Sequence, residues 1–286
     1  MMSTPITVQS HFNDGAAKYE ASTGGCTREL AQYIVDISPP FDESSHVLDN
    51  ACGLGIVAQE ILFNHAAARK FPATITCVDF APAMIELGRN FFQTNAAVAE
   101  HQDRVSFDVM SGEDLRLPDN HFTHSFTNVG ILFFKDGPRG ASEIYRTLKP
   151  EGTATVTSWA KLGYIDLIHQ AQRVVKPDAP LFRIPIAEDW YQGAHLEKVM
   201  RDAGFENVQV HEKEGIHYTA KSVGELCDRL VMLFGAALGL TESELAHFRK
   251  ELELTADKVV VKVERSGQAE ALVGVPMIAL VAVAKK

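Results

Sequence analysis

This 286-residue chain is short of cysteine, short of positive charge and without a long apolar run, and each shortage removes a class of function. The four cysteines, Cys26, Cys52, Cys77 and Cys227, show no CxxC spacing, and the eleven histidines form no H-x-x-x-H pair. A zinc site or a disulfide framework is therefore not expected, and no metal is assigned. Free thiols suit a reducing compartment. Lys and Arg number 27 against 37 Asp and Glu, a net charge of −10. That balance argues against nucleic acid as the main partner, because binding its phosphates needs a basic face. The longest apolar run, "LVMLFGAALGL" at 230–240, is about half of what a bilayer crossing requires. The opening "MMSTPITVQSHFNDG" has neither a basic n-region nor an apolar h-region. No secretory signal and no membrane partner are expected, and the chain reads as cytoplasmic.

Repeats, low-complexity tracts and linker-like Pro/Ser/Gly stretches are also missing. What is there is an ordinary globular composition, 46% hydrophobic and 22% charged, in a length that suits one large α/β domain or two modest ones. From 46 to 159, β-type runs alternate with helical patterns. "HVLDNA" precedes a helix over roughly 55–69, and "ATITCVDF" precedes another over 82–95. "RVSFDVM", "FTHSFTNV", a helix over 138–148 and "GTATVTSWA" follow. In the 82–95 stretch Met84, Ile85, Gly88, Phe91 and Phe92 share one helical face, with Pro82 in the first turn. Such alternation implies parallel strands with right-handed crossovers. Helices are also expected over 25–37, over 161–176 and in "HLEKVMRDAGF", which Gly204 would end. "NVQVHEKEGIHYTA" reads as a strand, 222–265 as two helices and "GVPMIALVAVAKK" as a terminal strand. Pro276 suggests that this last strand starts there or lies at an edge.

The informative stretch is "VLDNACGLGIV" at 47–57. An apolar strand ends in an acid, Asp49, and a turn with Gly53 and Gly55 opens a helix. Such a turn offers free N–H groups at a helix N-terminus, and glycine lets a ligand come close. G53-x-G55-x-x-A58 satisfies the dinucleotide fingerprint, a weak signal alone. A second acid, Asp79, ends the next strand 24 residues beyond Gly55. A carboxylate there can accept both hydroxyls of an adenosine ribose. The pair points to an adenosine cofactor, either a nicotinamide dinucleotide or S-adenosylmethionine (SAM). Asp49 would repel a pyrophosphate, whereas SAM carries a positive sulfonium and no phosphate. "LKPEGTATVTSW" continues the sheet past a single dinucleotide half.

These segments resemble the class I SAM-dependent methyltransferases, and within them the ubiquinone/menaquinone-type C-methyltransferases and fungal small-molecule enzymes. "VLDNACGLG" is similar to the family's first motif, "VDFAPAMIELGR" to its second and "SGEDLRLPDNHFTHSF" to the segment that packs on adenine. "LKPEGTATVTSW" is similar to the post-motif region, and "LEKVMRDAGFENVQV" to the next unit. The resemblance implies an α/β, Rossmann-like doubly wound sheet, mostly parallel with an antiparallel last strand. It implies SAM as cofactor, held by Asp49, Ala51, Gly53, Gly55, Asp79, Phe80, Met84, Ser111, Gly112, Glu113, Asn128 and Val129. Residues 1–45 resemble a helical lid over the cofactor, with Tyr19, Thr23 and Gly24 in contact. Residues 46–286 would form the methyltransferase domain, with helical caps near 161–193 and 222–265 over a pocket walled by Phe133, Phe134 and Trp159. Those extra helices could instead thicken one layer or form a homodimer face. Ala51 stands in for the first loop glycine, and Ser111 for an adenine-contacting Asp, which shifts adenine binding toward the backbone at Gly112 and Glu113.

Several residues look catalytic only by type. Tyr145 and Lys149 have the Y-x-x-x-K spacing of short-chain dehydrogenases, but Pro150 and Gly152 place Lys149 at a helix end. Cys52 reads as a small apolar filler of the loop. His11, His121, His124 and His169 are candidate bases by type alone, and no catalytic residue is assigned. Methyl transfer is an in-line displacement that mainly needs alignment and exclusion of water, so a missing dyad is compatible with it. The expected activity is transfer to a thiol or hydroxyl of a small apolar metabolite, in secondary metabolism. The alternatives are a quinone-type C-methyltransferase, a SAM-binding regulator acting through a protein partner, or an NAD(P)-linked reductase.

Overall fold

The computed structural model describes residues 7–65, 70–265 and 270–286. The N-terminal segment holds α1 (Val8–Gly15), a 3-10 turn over Ala16–Lys18, α2 (Tyr19–Ser22) and α3 (Cys26–Asp36). Then β1 (His46–Asn50), α4 (Ile56–His65), β2 (Thr74–Asp79), α5 (Pro82–Thr94), β3 (Val105–Val109), β4 (Phe122–Thr127), α6 (Gly137–Thr147) and β5 (Leu148–Lys161) alternate. The last part of the expected 55–69 helix, residues 66–69, lies outside the described residues. The chain continues through α7 (Gly163–Val175), α8 (Gly193–Asp202), β6 (Asn207–Ala220), α9 (Val223–Phe234), α10 (Glu242–Ala256), β7 (Val261–Val263) and β8 (Leu272–Lys285).

Among the described residues the strands form one eight-stranded sheet in the order β3-β2-β1-β4-β5-β8-β6, with β7 also on β8. Pairs among β1 to β5 are parallel, and β8 runs antiparallel to both β5 and β6. The expected Rossmann-like architecture is therefore present. The order reverses at β1, which has β2 on one side and β4 on the other. Ligands of open α/β sheets bind at such a switch, outside the carboxyl ends of the strands. Parallel strands covered on both faces must be apolar throughout, and Val47, Leu48, Ile75, Cys77, Val78 and Phe126 are all buried.

Two local expectations change. The 222–265 stretch is not helical to its end, because β7 adds a three-residue strand against Leu272–Gly274. Pro276 neither starts β8 nor lies on an outer strand. β5 pairs with β8 only as far as Ile278, so the proline's missing N–H falls where that neighbour has already ended. Among the described residues no helix is long and apolar enough to cross a membrane.

Candidate active site

At the tips of β1, β2 and β4 lies a cavity of about 260 Å³. The strand tips and the loops after them supply Ala51, Gly53, Asp79, Phe80, Ser111, Gly112, Glu113, Asn128, Val129, Gly130, Phe133, Phe134 and Lys135, and α5 supplies Met84. The N-terminal segment supplies Thr7, Val8, Gln9, Phe12 and Tyr19. Twelve expected cofactor and wall residues (Tyr19, Ala51, Gly53, Asp79, Phe80, Met84, Ser111, Gly112, Glu113, Asn128, Val129 and Phe133) thus meet around one space, and Phe134 joins them.

The glycine turn takes its shape from two acids. Asp79 accepts hydrogen bonds from the Gly53 N–H at 2.9 Å and from the Ala81 N–H at 2.9 Å. It ties β1's loop to the end of β2 and still has lone pairs to offer across the cavity. Burial pushes its carboxyl upward, and the backbone donors pull it partly back. Gly53 has φ +54°, and a Cβ there would meet nothing nearer than the Tyr19 ring at 4.0 Å. That clearance is room for a ligand against the backbone. Ala51 and Val129 also sit at φ +54°, an unusual state for an alanine and a costly one for a β-branched residue. The Val129 N–H donates to Thr157 Oγ1 at 2.8 Å, which holds it there. Asn128 donates to the Thr27 carbonyl and accepts from Thr157, so its amide fastens β4 to α3.

The loop at the end of β3 is equally braced. Ser111 Oγ donates to Glu113 at 3.3 Å, the other Glu113 oxygen accepts the Asp136 N–H, and Arg139 donates to the Glu113 carbonyl at 2.7 Å. A Cβ on Gly112 would fall 2.3 Å from the Phe134 ring, and one on Gly140 also 2.3 Å from it. Phe134 is therefore wedged between two glycines as a support for this loop, more than a free wall for an acceptor.

Five expected residues lie elsewhere. Asp49 is only 1% exposed and sits beneath the loop, where Oδ2 accepts the Ala58 N–H at 3.2 Å in the first turn of α4. Burial, aided by Asp79, pushes its carboxyl up to about 8. It supports the loop from below and does not line the cavity. Gly55 faces the rings of Phe107 and Phe92, so its missing Cβ serves helix-on-sheet packing. Thr23 and Gly24 face away: the Gly24 carbonyl accepts from Thr219 N, Thr219 Oγ1 and Arg265 Nη1 at 3.1, 2.8 and 3.0 Å. The close approach that glycine permits there is to the backbone of β6, not to a ligand. Trp159 is buried in the main apolar core.

Sequence reasoning missed Thr7, Val8, Gln9, Phe12 and Lys135. Phe12 packs edge-on against Phe133 at 5.2 Å and Phe80 at 6.1 Å. Gln9 Nε2 donates to the Phe80 carbonyl at 2.7 Å, and Asn13 Oδ1 accepts the Ala83 N–H at 3.0 Å. An aromatic and two amides spaced one helical turn apart ahead of the fold were the available signal. Two of the histidines considered as bases are held by structural bonds, His124 to Thr123 and Pro39 and His169 to the Phe182 carbonyl, while the His121 ring packs against His46 and Phe122. The side chain of His11 lies outside the described ones.

The residues fit an adenosyl sulfonium. Asp79 sits at the tip of β2 where a ribose acid belongs, Gly53 leaves the backbone open, and among the described residues the lining acids Asp79 and Glu113 outnumber the lining cation Lys135. That balance suits a cationic group better than a pyrophosphate. Fold and site together define an α/β protein that grips an adenosine cofactor at its topological switch point.

Comparison with known proteins sharpens the class. Residues 48–156 match the family described as "Methyltransferase domain". The chain is 25% identical over 213 residues to the acetylaranotin bis-thiomethyltransferase of Aspergillus terreus, covering 72% of this chain and 70% of that one. It is 30% identical over 166 residues to the ubiquinone/menaquinone biosynthesis C-methyltransferase UbiE of Geotalea daltonii, covering 57% of this chain and 67% of that one. Among solved structures, a chain of the complex between the Haloferax volcanii Trm112 methyltransferase activator and a methyltransferase superimposes with a TM-score of 0.55 at 18% identity. That likeness covers 98% of this chain and 99% of the other, and it concerns the fold. The chain belongs to the class I SAM-dependent methyltransferases, and SAM is its cofactor.

Proposed function

We propose that the enzyme methylates a thiol or hydroxyl of a small apolar metabolite, with sulfur preferred. The observation that carries this reading is the chemistry of the cavity wall. Val8, Phe12, Phe80, Met84, Val129 and Phe133 make it apolar, and among the described side chains no histidine or cysteine lines it. Its acids are already engaged, Asp79 with two backbone N–H groups and Glu113 with Ser111 and Asp136. Burial pushes the Tyr19 phenol well up, so it keeps its proton. A wall without a poised base suits an acceptor that ionises unaided; a thiol near pKa 8.5 does so more readily than a hydroxyl.

Bound here, SAM supplies an electrophilic methyl group on sulfur. Asp79 and the Gly53 backbone would hold the ribose and orient the adenosine. The Ser111–Glu113 loop would flank adenine, and Ala51, Asn128 and Val129 would flank the amino-acid end. Phe12, Phe80 and Phe133 would exclude water from the reacting centre, which is most of what an in-line displacement asks of a protein. The thiol-directed Aspergillus relative supports the sulfur reading. A second reading, a ring carbon of a quinol, is favoured by the C-methyltransferase relative.

Mass spectrometry tests both. Enzyme and SAM are incubated with a panel of thiols, phenols and quinols, and a gain of one methylene unit is located by fragmentation. S-methyl products are expected to dominate. Products methylated only on carbon would replace this reading with the second, and tight SAM binding without any product would favour a regulatory binder.

A further inference from the structure

Among the described residues, the lining of the strand-tip cavity holds a charge with which nothing else in the protein pairs. Its ionisable side chains are Tyr19, Asp79, Glu113 and Lys135. The two carboxylates are spent on backbone N–H groups and on Ser111, and burial keeps the Tyr19 phenol protonated. Lys135 differs from all three. Among the described residues its ammonium makes no hydrogen bond and no ion pair.

That freedom belongs to the side chain alone, because the backbone on either side of Lys135 is fixed. Phe134 is wedged between Gly112 and Gly140, and its N–H donates to the Ile131 carbonyl at 3.1 Å. Asp136 donates its N–H to Glu113, and its carboxylate accepts the Arg139 N–H at 3.0 Å as the cap of α6. Both acids beside the lysine are thus committed to the backbone, and neither pairs with it. Thr7, Val8, Gln9 and Lys135 are the exposed members of the described lining, so they mark its mouth. Phe12 and Phe133, packed on each other at 5.2 Å, are half-buried. The mouth therefore offers apolar surface together with a positive charge on a rigid footing.

A thiol attacks as its thiolate, and an apolar wall that also carries two carboxylates works against ionisation. An ammonium close to the sulfur offsets both effects. Resting on the reading of a thiol or hydroxyl acceptor, we propose that the acceptor binds as its anion, thiolate or phenolate, with the Lys135 ammonium as counter-charge. Lys135 is then a specificity-determining residue. It favours acceptors acidic enough to ionise near neutrality over amines and aliphatic alcohols. No base is required: the acceptor's proton leaves to water. The thiolate's lone pair forms the new S–CH3 bond as the methyl parts from the sulfonium, which retains the bonding pair. An anion and a cation become two neutral thioethers, so Lys135 loses its partner when product forms and that attraction does not retain it.

The test uses the full-length enzyme saturated with S-adenosylhomocysteine, with 4-nitrophenol as probe, a phenol that titrates near neutrality and turns yellow on ionising. Absorbance reads the pH at which the bound probe loses its proton. In Lys135→Met that pH should lie about one unit above wild type, the equivalent of about tenfold weaker binding of the anion. One unit is the weak end of the Coulomb range, as suits an exposed charge. Lys135→Arg keeps the charge and should titrate like wild type, and calorimetry should find S-adenosylhomocysteine affinity the same in all three. No bound probe in wild type, the same titration in wild type and Lys135→Met, or an arginine variant that follows Lys135→Met would each overturn the proposal. Weaker S-adenosylhomocysteine in Lys135→Met would overturn it too, by placing Lys135 on the cofactor. Probe ionisation is read without methyl transfer, so the methyl-transfer reading stands or falls on the mass-spectrometric panel alone.

Discussion

The two halves of the sheet use glycine and acid differently. In the β1–β3 half, glycines at 53 and 112 keep space open or seat a supporting ring around a cavity, and Asp79 gives its oxygens to the loop that frames it. In the β6–β8 half, Gly24 and Gly25 let the N-terminal segment press against β6 and Arg265, and Glu29 bonds Arg265 and the His217 N–H. The first arrangement spends backbone freedom on a ligand, the second on fastening chain to chain. Closely spaced glycines therefore report a close approach without saying what approaches.

The sharpest way to break that contrast is through pH. Asp49 holds its proton in the folded state up to about pH 8, against about 3.8 when unfolded. Its contribution is full below pH 4 and is lost as pH rises through the neutral range, by at most about 1.4 kcal/mol per pH unit. Asp49→Asn cannot ionise, so its apo Tm relative to wild type should climb steadily between pH 5 and 8. A constant gap would show that Asp49 is charged throughout.

Next in size is Asp79→Ala, which removes the ribose acid and the Gly53 anchor together. Affinity for S-adenosylhomocysteine should fall about 10²-fold or more, near 2.7 kcal/mol. Unchanged affinity in calorimetry would reduce Asp79 to a loop support. Gly24→Ala should do the reverse. Its Cβ would lie 2.7 Å from the Thr219 nitrogen at φ +57°, so a loss of roughly 1–3 kcal/mol in stability is expected with cofactor affinity retained. A selective loss of affinity would return Gly24 to the site. Smallest is Phe12→Ala: about tenfold weaker S-adenosylhomocysteine, read by the same calorimetry, with Tm close to wild type. A large drop in Tm would make Phe12 a core residue.

Much of this was legible in the sequence because it is local. Strand-to-helix alternation, the Gly53–Gly55 turn and Asp79 are set by period and spacing within a few dozen residues, and the structure places the described elements of 46–161 where that pattern put them. What escaped depends on contacts across the chain. Trp159 has the same apolar signature whether it walls a pocket or fills the core. Asp49 belongs to the loop motif, but only burial shows that it faces α4 instead of the cavity. Gln9 and Phe12 gain meaning when α1 docks on Phe80, 71 residues from Gln9. β7, three residues long, is specified by its partner β8 and not by its own pattern.

The N-terminal segment is fastened unequally at its two ends. Near Gly24 it is stapled by Thr219 and Arg265, with Arg229 adding a bond to the Ala21 carbonyl. At α1 it hangs on the amides of Gln9 and Asn13. Lifting the α1 end would break the two amide bonds and part Phe12 from Phe80 and Phe133, whereas lifting the Gly24 end would break backbone bonds to β6 and two arginine bonds, so the side of the segment that covers the cavity is the one held by side chains.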